Sequence, residues 1–405
     1  MKYILSALSA LSALAILGFI AATTQITTAQ SIEPAASSTS PSPVAYVYVS
    51  GVYDIGVYKI NAFAAAADGS LTPIPGEPFA GPVTSMAVNG KYLFGADTDE
   101  IHIDSYLMGK NGALYKATST EDPRHQGSDC DAIGPLFMDH SGNTLYSLES
   151  GNPYCANNTY QSFRVNWQTG GVKYLDHSGN SPYLNVPLSF VGNNGWAYGA
   201  ACELFGNPAN NTGFIYGFQR SADGFLAAKK VSAPLPPLTN TKGFYCPVLT
   251  AADPYNHVAV VMEGIPDIGA YGPFQIATYT ADNSGNLKLT GGSNMAYVDV
   301  GAVLDMKMSP SGKLLAVGGV NGLQLFHVEA GGVVVAYSGQ LDTGQEIQQM
   351  FWDNANHLYA ISTNFQQLLV YTITPTSLVE APGSPYSIPV PVNLIVQPKT
   401  AAPKL

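Results

Sequence analysis

Charge is scarce in this sequence. Only 11% of its 405 residues are Asp, Glu, Lys or Arg, about half the usual fraction for a soluble domain. Arginine is nearly missing, with Arg124, Arg164 and Arg220 the whole complement. The 28 acidic residues outnumber the 17 basic ones, for a formal charge of -11. That balance excludes the basic face a nucleic-acid binder needs to displace counterions, so no nucleic-acid partner is expected. Charged heptads and long ion-paired helical patterns are also lacking, which excludes coiled coils. The four cysteines make no Cys-x-x-Cys pair, and the seven histidines make no His-x-His or His-Glu-x-x-His pattern. No metal motif is therefore legible. No Gly-x-Ser-x-Gly elbow marks a serine nucleophile. Beyond residue 22 no apolar run is long enough to cross a bilayer.

Turn and strand formers are what the sequence has: Gly 41, Pro 28 and Tyr 24. Before them stands a targeting segment. Met1-Lys2 is a short positive start, Tyr3 to Ala22 is apolar, and small residues follow at Thr27-Thr28-Ala29. Residues 1–30 thus read as a secretory signal cut near Ala29, the competing reading being an uncleaved anchor. Residues 31–43 form a Ser/Pro-rich linker with nothing to pack. The chain is expected to be exported (periplasmic, secreted or cell-surface), with membrane contact only if the signal stays uncut.

One unit recurs through the remainder: strand, turn, strand, connection, strand, turn, strand. The clearest copy spans 302–339. AVLDMKMS is a strand, Pro310-Ser311-Gly312 turns, KLLAVGG and GLQLFHVE are the next two strands, Ala330-Gly331-Gly332 turns again, and VVVAYSG is the fourth. Other copies place their second hairpin at Asp68-Gly69, Asn111-Gly112, Gly170-Gly171, Asp223-Gly224 and Ser284-Gly285. Such pairs supply the positive φ of tight hairpins. Residues 44–50 (VAYVYVS) read as a second strand with no first strand before it, and 392–398 (VNLIVQP) as a first strand with no second after it. Joined, they complete a blade. The expected fold is an all-β seven-bladed β-propeller over 44–398, each blade four antiparallel strands, closed by N- and C-terminal strands in one blade. Inner strands are expected near 84, 132, 186, 246, 302, 346 and 392, and 399–405 is a short C-terminal tail. A pair of β-sandwiches would not explain seven recurring units with split ends. The ring is expected to be a monomer.

All four cysteines fall on one end of such a ring. That end, the mouth, has the connections entering the inner strands and those leaving the second strands. Proximity favours disulfides Cys130–Cys155 within blade 3 and Cys202–Cys246 between blades 4 and 5. The long connections 119–131, 150–159, 203–212, 233–245 and 264–273 extend at the same end, where loops of this length serve binding or catalysis. Glu149, Glu203 and Glu263 are read as one repeat position at the end of the second strand, with Asp97 the analogue in blade 2. Asp129 and Asp131 flank Cys130, and Arg124-His125 leads into blade 3. Clustered carboxylates can serve as acid and base, hold a divalent cation such as Ca²⁺, or simply face solvent and cap loops. No cofactor is evident beyond that cation. Trp167, Trp196 and Trp352 read as strand residues used in packing.

Three stretches, SPSGKLLAVGG (309–319), MDHSGNTLYSLES (138–150) and the ADGSL turn (67–71), give the chain a family likeness. It resembles the lactonase family of seven-bladed propellers, which includes bacterial 6-phosphogluconolactonases and fungal muconate-lactonising enzymes, and the related surface-layer type with Tyr-Val-Thr-Asn repeats. The likeness covers nearly all of 44–398. It implies a His, Arg and Glu cluster at one end of the channel. Pro123-Arg124-His125 matches the family's Pro-Arg-His stretch before an inner strand, and Glu149 matches the Glu that ends the following strand. The sequence departs from the family in its extra residues after His125, in Cys130, and in lacking a second arginine near the mouth.

Two classes of function follow. One is a degenerate, non-enzymatic propeller that binds a small molecule or protein at the loop-rich end. The other is an extracytoplasmic lactonase or cyclase-like enzyme, with His125 or Glu149 as general base, Glu203 an auxiliary acid and Arg124 polarising the carbonyl. A purely structural cell-envelope module is a third. An acidic, arginine-poor mouth suits phosphorylated substrates poorly.

Overall fold

Strands with apolar residues on both faces need a partner on each side, and a closed ring of sheets supplies it. In the strand Ala45–Asp54, Ala45, Val47 and Val49 pack with Tyr359, Ile361 and Val370, whereas Tyr46 and Tyr48 pack with Ile60, Val83 and Leu93. Successive residues thus serve opposite neighbours, as the two-residue period of a strand requires. Among the described residues the same division gives seven hydrophobic clusters, each straddling one pair of adjacent sheets.

The computed structural model describes residues 42–124, 132–149, 159–178, 186–203, 212–238, 242–267, 270–290, 295–337, 342–374 and 376–399. Every regular element among them is a strand, and the strands form seven antiparallel sheets. No helix among the described residues is long and apolar enough to cross a membrane. The expected signal and linker, 1–41, lie outside the described residues.

Blade 1 is built from both ends of the chain. Its inner strand Pro391–Pro398 pairs with Ala45–Asp54, followed by Val57–Ala65 and Leu71–Pro73. The inner strands of blades 2 to 7 are Val83–Val88, Ile133–Met138, Ser189–Phe190, Gly243–Ala252, Val303–Met308 and Gln349–Trp352. Their second strands are Tyr92–Asp97, Thr144–Glu149, Trp196–Glu203, His257–Pro266, Leu314–Gly319 and His357–Ser362. The expected seven-bladed propeller is the fold observed. In four blades the outer edge is two short segments bonded to the same third strand, as Leu71–Pro73 and Phe79–Ala80 are to Val57–Ala65.

Two recurring hydrogen bonds bolt neighbouring blades. Near the axis, one inner-strand side chain accepts a backbone N–H of the next blade. Asp305 Oδ2 takes Met350 N at 2.7 Å, Gln349 Oε1 takes Leu394 N at 2.7 Å, Asn393 Oδ1 takes Met86 N at 2.9 Å, and Ser85 Oγ takes Leu136 N at 2.9 Å. At the hairpin end, a second-strand tyrosine donates to a carbonyl in the next blade's outer hairpin. Tyr48, Tyr146 and Tyr198 reach Gly112, Gly224 and Gly285 at 2.8, 2.6 and 2.9 Å. Gly112 shows why glycine is needed there. Its φ is +85°, and a Cβ would stand 2.6 Å from the Tyr46 ring. The turn must be both left-handed and bare on the side facing blade 1.

Several sequence expectations need correcting. Residues 119–121, 203, 212, 243–245 and 264–266 continue strands rather than loops, because the sheets of blades 2, 4 and 5 extend further toward the mouth than the hydrophobic pattern shows. Trp167 lies in the turn after Tyr160–Val165, not on a strand, and its Nε1 donates to Asn143 Oδ1 at 2.7 Å.

Closure by the final strand makes a direct prediction. A chain ending at Val390 should lose cooperative thermal unfolding, whereas one ending at Lys399 should keep it. A sharp transition for the shorter chain, followed by calorimetry, would refute the dependence on closure.

Candidate functional site

Among the described residues a set of buried charge at the mouth lies where blade 2 hands over to blade 3. The outer strand Leu114–Glu121 runs into Asp122, whose Oδ1 accepts the backbone N–H of Arg124 at 2.9 Å. This turn across Pro123 is one that Asp favours, because its carboxylate can hold the amide two residues on. Arg124 Nη1 then donates to Glu149 Oε1 at 2.6 Å. Glu149 is on the right side to receive it. Leu145 packs toward blade 2 and Tyr146 and Leu148 toward blade 4, so alternation puts Glu149 on the blade 2 side.

Gln161, on the third strand Tyr160–Val165, closes the group. Its Nε2 donates to Asp122 Oδ2 at 2.7 Å and to Glu149 Oε1 at 2.9 Å. Asp122, Glu149 and Gln161 are 2%, 4% and 0% exposed, while the Arg124 side chain keeps 29% of its surface. Among the described residues the group thus holds two buried carboxylates and one guanidinium, the latter bonded to Glu149. Such a group is tolerable only when its oxygens are hydrogen-bonded, and the Gln161 amide supplies a donor to each carboxylate. Gln161 Oε1 and the Thr159 hydroxyl are buried without a partner among the described residues. Both are acceptors that a donor from a ligand or water would satisfy. Tyr174 lies in the same field: burial pushes its phenol up, and the charge of Arg124 acts against that.

The other residues singled out in the sequence are distributed differently. His125, Asp129, Cys130, Asp131 and Cys155 lie outside the described residues. Asp97 serves its own turn, its Oδ1 accepting the Asp99 N–H at 3.1 Å and the Thr98 hydroxyl at 3.2 Å. Glu149, Glu203 and Glu263 do not share one repeat position. Glu149 is three residues past Tyr146 and Glu203 five past Tyr198, the two tyrosines making the equivalent bond to the next blade. Glu263 falls on the opposite face. Val258, Val260 and Met262 pack toward blade 4 and Ala259 and Val261 toward blade 6, so Glu263 follows the blade 6 side. Burial pushes its carboxyl above the ordinary value.

Cys202 and Cys246 form a disulfide with Cα atoms 5.1 Å apart. The register explains it. Trp196, Tyr198 and Ala200 pack toward blade 5, and Cys202 continues on that side. Among the described residues no group of three His, Cys, Asp or Glu side chains is placed to hold a metal ion. His257 and His357 instead bind Asp253 and Asp353 within their own hairpins at 2.6 and 2.7 Å.

Asp122 and Gln161 were not singled out by the sequence. Asp122 had a signal, since Asp-Pro-Arg is a turn that fixes the following side chain. Gln161 had a weaker one: a long polar residue next to Tyr160, in a strand that also carries Ser162 and Arg164.

No family model matches the chain, and no curated protein matches it in sequence. Solved structures match its fold. The periplasmic gluconolactonase of Pseudomonas aeruginosa superposes with a TM-score of 0.60 at 13% identity, over 89% of this chain and 99% of that one. A Bacteroides fragilis protein proposed to be a 6-phosphogluconolactonase gives 0.60 at 15% identity, over 89% and 99%. A hypothetical selenium-binding protein of Sulfolobus tokodaii gives 0.58 at 8% identity, over 90% and 96%. The chain shares the propeller architecture of these proteins.

Two outcomes are expected. Gln161→Leu removes the donor common to Asp122 and Glu149 and should destabilise the fold by about 2–4 kcal/mol; a change below about 0.5 kcal/mol in chemical denaturation would show that the amide is dispensable. For Glu263, burial raises the folded-state value above the ordinary 4.5. The folded chain holds that proton more tightly than the unfolded chain, so the associated stability is present below the unfolded value and is lost as pH rises through the folded one. Glu263→Gln should therefore raise Tm by about 1–2 °C at neutral pH and leave it unchanged near pH 4. An equal gain at both pH values would contradict this.

Proposed function

We propose that this chain is a ligand-binding propeller of the lactonase-like fold, taking a small polar molecule at its loop-rich mouth without turning it over. The observation that carries this reading is the state of Glu149. Its Oε1 receives both the Arg124 guanidinium at 2.6 Å and the Gln161 amide at 2.9 Å. Two donors already occupy that oxygen, whereas a general base needs an oxygen open to the proton it takes. What the arrangement offers is a fixed cation at the edge of a buried acidic pair, with acceptors nearby.

The ligand that fits is neutral or cationic. Among the described residues one guanidinium stands beside two carboxylates, Asp122 and Glu149, a balance that disfavours a phosphate or free carboxylate. A divalent cation such as Ca²⁺ fits poorly between the two carboxylates, because Gln161 Nε2 already stands there with a donor to each. The Cys202–Cys246 disulfide supports an oxidising compartment, in keeping with export.

A second reading, lactone hydrolysis, is favoured by the Arg124–Glu149 pair itself and by the names of two solved neighbours, a gluconolactonase and a proposed 6-phosphogluconolactonase. Arg124 would polarise the carbonyl, His125 or Glu149 would activate water, and Glu203 would assist.

Titration of the exported chain with a panel of five- and six-membered lactones and their phosphorylated forms separates the two. Binding of unphosphorylated members without turnover, weakened about tenfold by Arg124→Ala, is the expected result. Turnover that disappears in both Arg124→Ala and Glu149→Ala would replace the first reading with the second.

A further inference from the structure

The hairpin end of the ring carries a second, chemically different depression. Between blades 4 and 5 the turns at 191–195, 253–256 and 281–286 enclose a cleft of about 460 Å³, within the size range of small-molecule sites. Its base includes the buried Trp196, whose Nε1 donates to the Asn283 carbonyl at 3.3 Å. Its rim is Tyr255, 46% exposed, and the exposed amides of Asn193, Asn256 and Asn283.

The polar groups left open are complementary in kind. Asn193 Oδ1 accepts the Gly195 N–H at 2.8 Å, which fixes the amide and leaves its NH₂ group as a double donor. Asn256 Nδ2 donates to the Ala281 carbonyl at 3.1 Å, which leaves its Oδ1 as an acceptor. The Asn283 side chain makes no hydrogen bond among the described residues and offers both. The one carboxylate on the rim, Asp282, is spent on its own turn. Its oxygens accept the Ser284 and Asn286 N–H groups at 2.8 and 2.9 Å and the Asn286 amide at 3.1 Å. The open groups are therefore uncharged, planar, held by tight turns, and set beside an aromatic face.

We infer that this cleft is a binding site for a neutral saccharide of one or two rings. Sugar hydroxyls both donate and accept, which is what paired amides read. The C–H face of a pyranose is apolar and covers an exposed tyrosine ring, whose area is the largest hydrophobic contribution on the rim. An anionic ligand finds no cation among the lining residues. The site is separate from the mouth, at the opposite end of the ring, and does not depend on the function proposed there.

Saturation-transfer NMR on the intact chain, with glucose, galactose, N-acetylglucosamine, maltose and cellobiose at about 10 mM and glucuronate as the charged comparison, tests this. At least one neutral sugar should receive saturation, with glucuronate much weaker. Tyr255→Ala and Asn283→Ala should each weaken the affinity about tenfold or more, while circular dichroism shows both variants folded, since both residues are exposed. No transfer to any neutral sugar, transfer undiminished in Tyr255→Ala, or binding that is lost instead in Arg124→Ala would overturn the assignment.

Discussion

The pairing of Pro391–Pro398 with Ala45–Asp54 is the constraint on which the rest of the molecule depends. Without it Ala45–Asp54 loses its inner ladder partner, and the apolar side chains that blade 7 packs against Leu394 and Val396 lose part of their cover. The final strand also carries bonds in both directions around the axis: Asn393 Oδ1 accepts the Met86 N–H, and the Leu394 N–H donates to Gln349 Oε1. Every hydrophobic cluster lies between blades rather than within one. No blade can therefore hold its side chains in place alone, and the ring is stable as a whole or not at all. The cluster at Arg124 shares this character, since blade 2 supplies Asp122 and Arg124 and blade 3 supplies Glu149 and Gln161.

That cluster shows how the protein keeps acid in a low-dielectric place. A lone pair of buried carboxylates would be protonated or driven to the surface. Here the Asp122 side chain first holds its own loop, then shares the Gln161 amide with Glu149, and Glu149 takes the guanidinium. The bonds that satisfy the cluster also occupy Glu149 Oε1 with two donors. The two ends of the ring consequently differ: the mouth carries a fixed charge, and the cleft between blades 4 and 5 carries neutral amides and an aromatic ring.

Much of the architecture was legible beforehand because it is encoded locally. Glycines at Gly112, Gly224 and Gly285 mark turns that must be left-handed, and the runs TLYSLE and VAVVME mark strands buried on both faces. The split blade was legible from the unmatched strands at the two ends. Strand lengths at the mouth were less legible, because residues such as Glu203 and Tyr245 extend the sheets with polar and aromatic side chains that resemble loop composition.

Taken alone, the order of residues determined the number of blades, the positions of the turns, the closure of the ring and the nearness of Cys202 to Cys246, since each follows from short-range periodicity or from simple counting around a circle. Only the tertiary structure decided which acids meet. Glu149, Glu203 and Glu263 look equivalent in the sequence, yet a shift of one residue along a strand turns a side chain from one neighbouring blade to the other. Glu149 alone among them is shown joined to Arg124, and Gln161 enters the group from a strand whose partner contacts the linear sequence does not state.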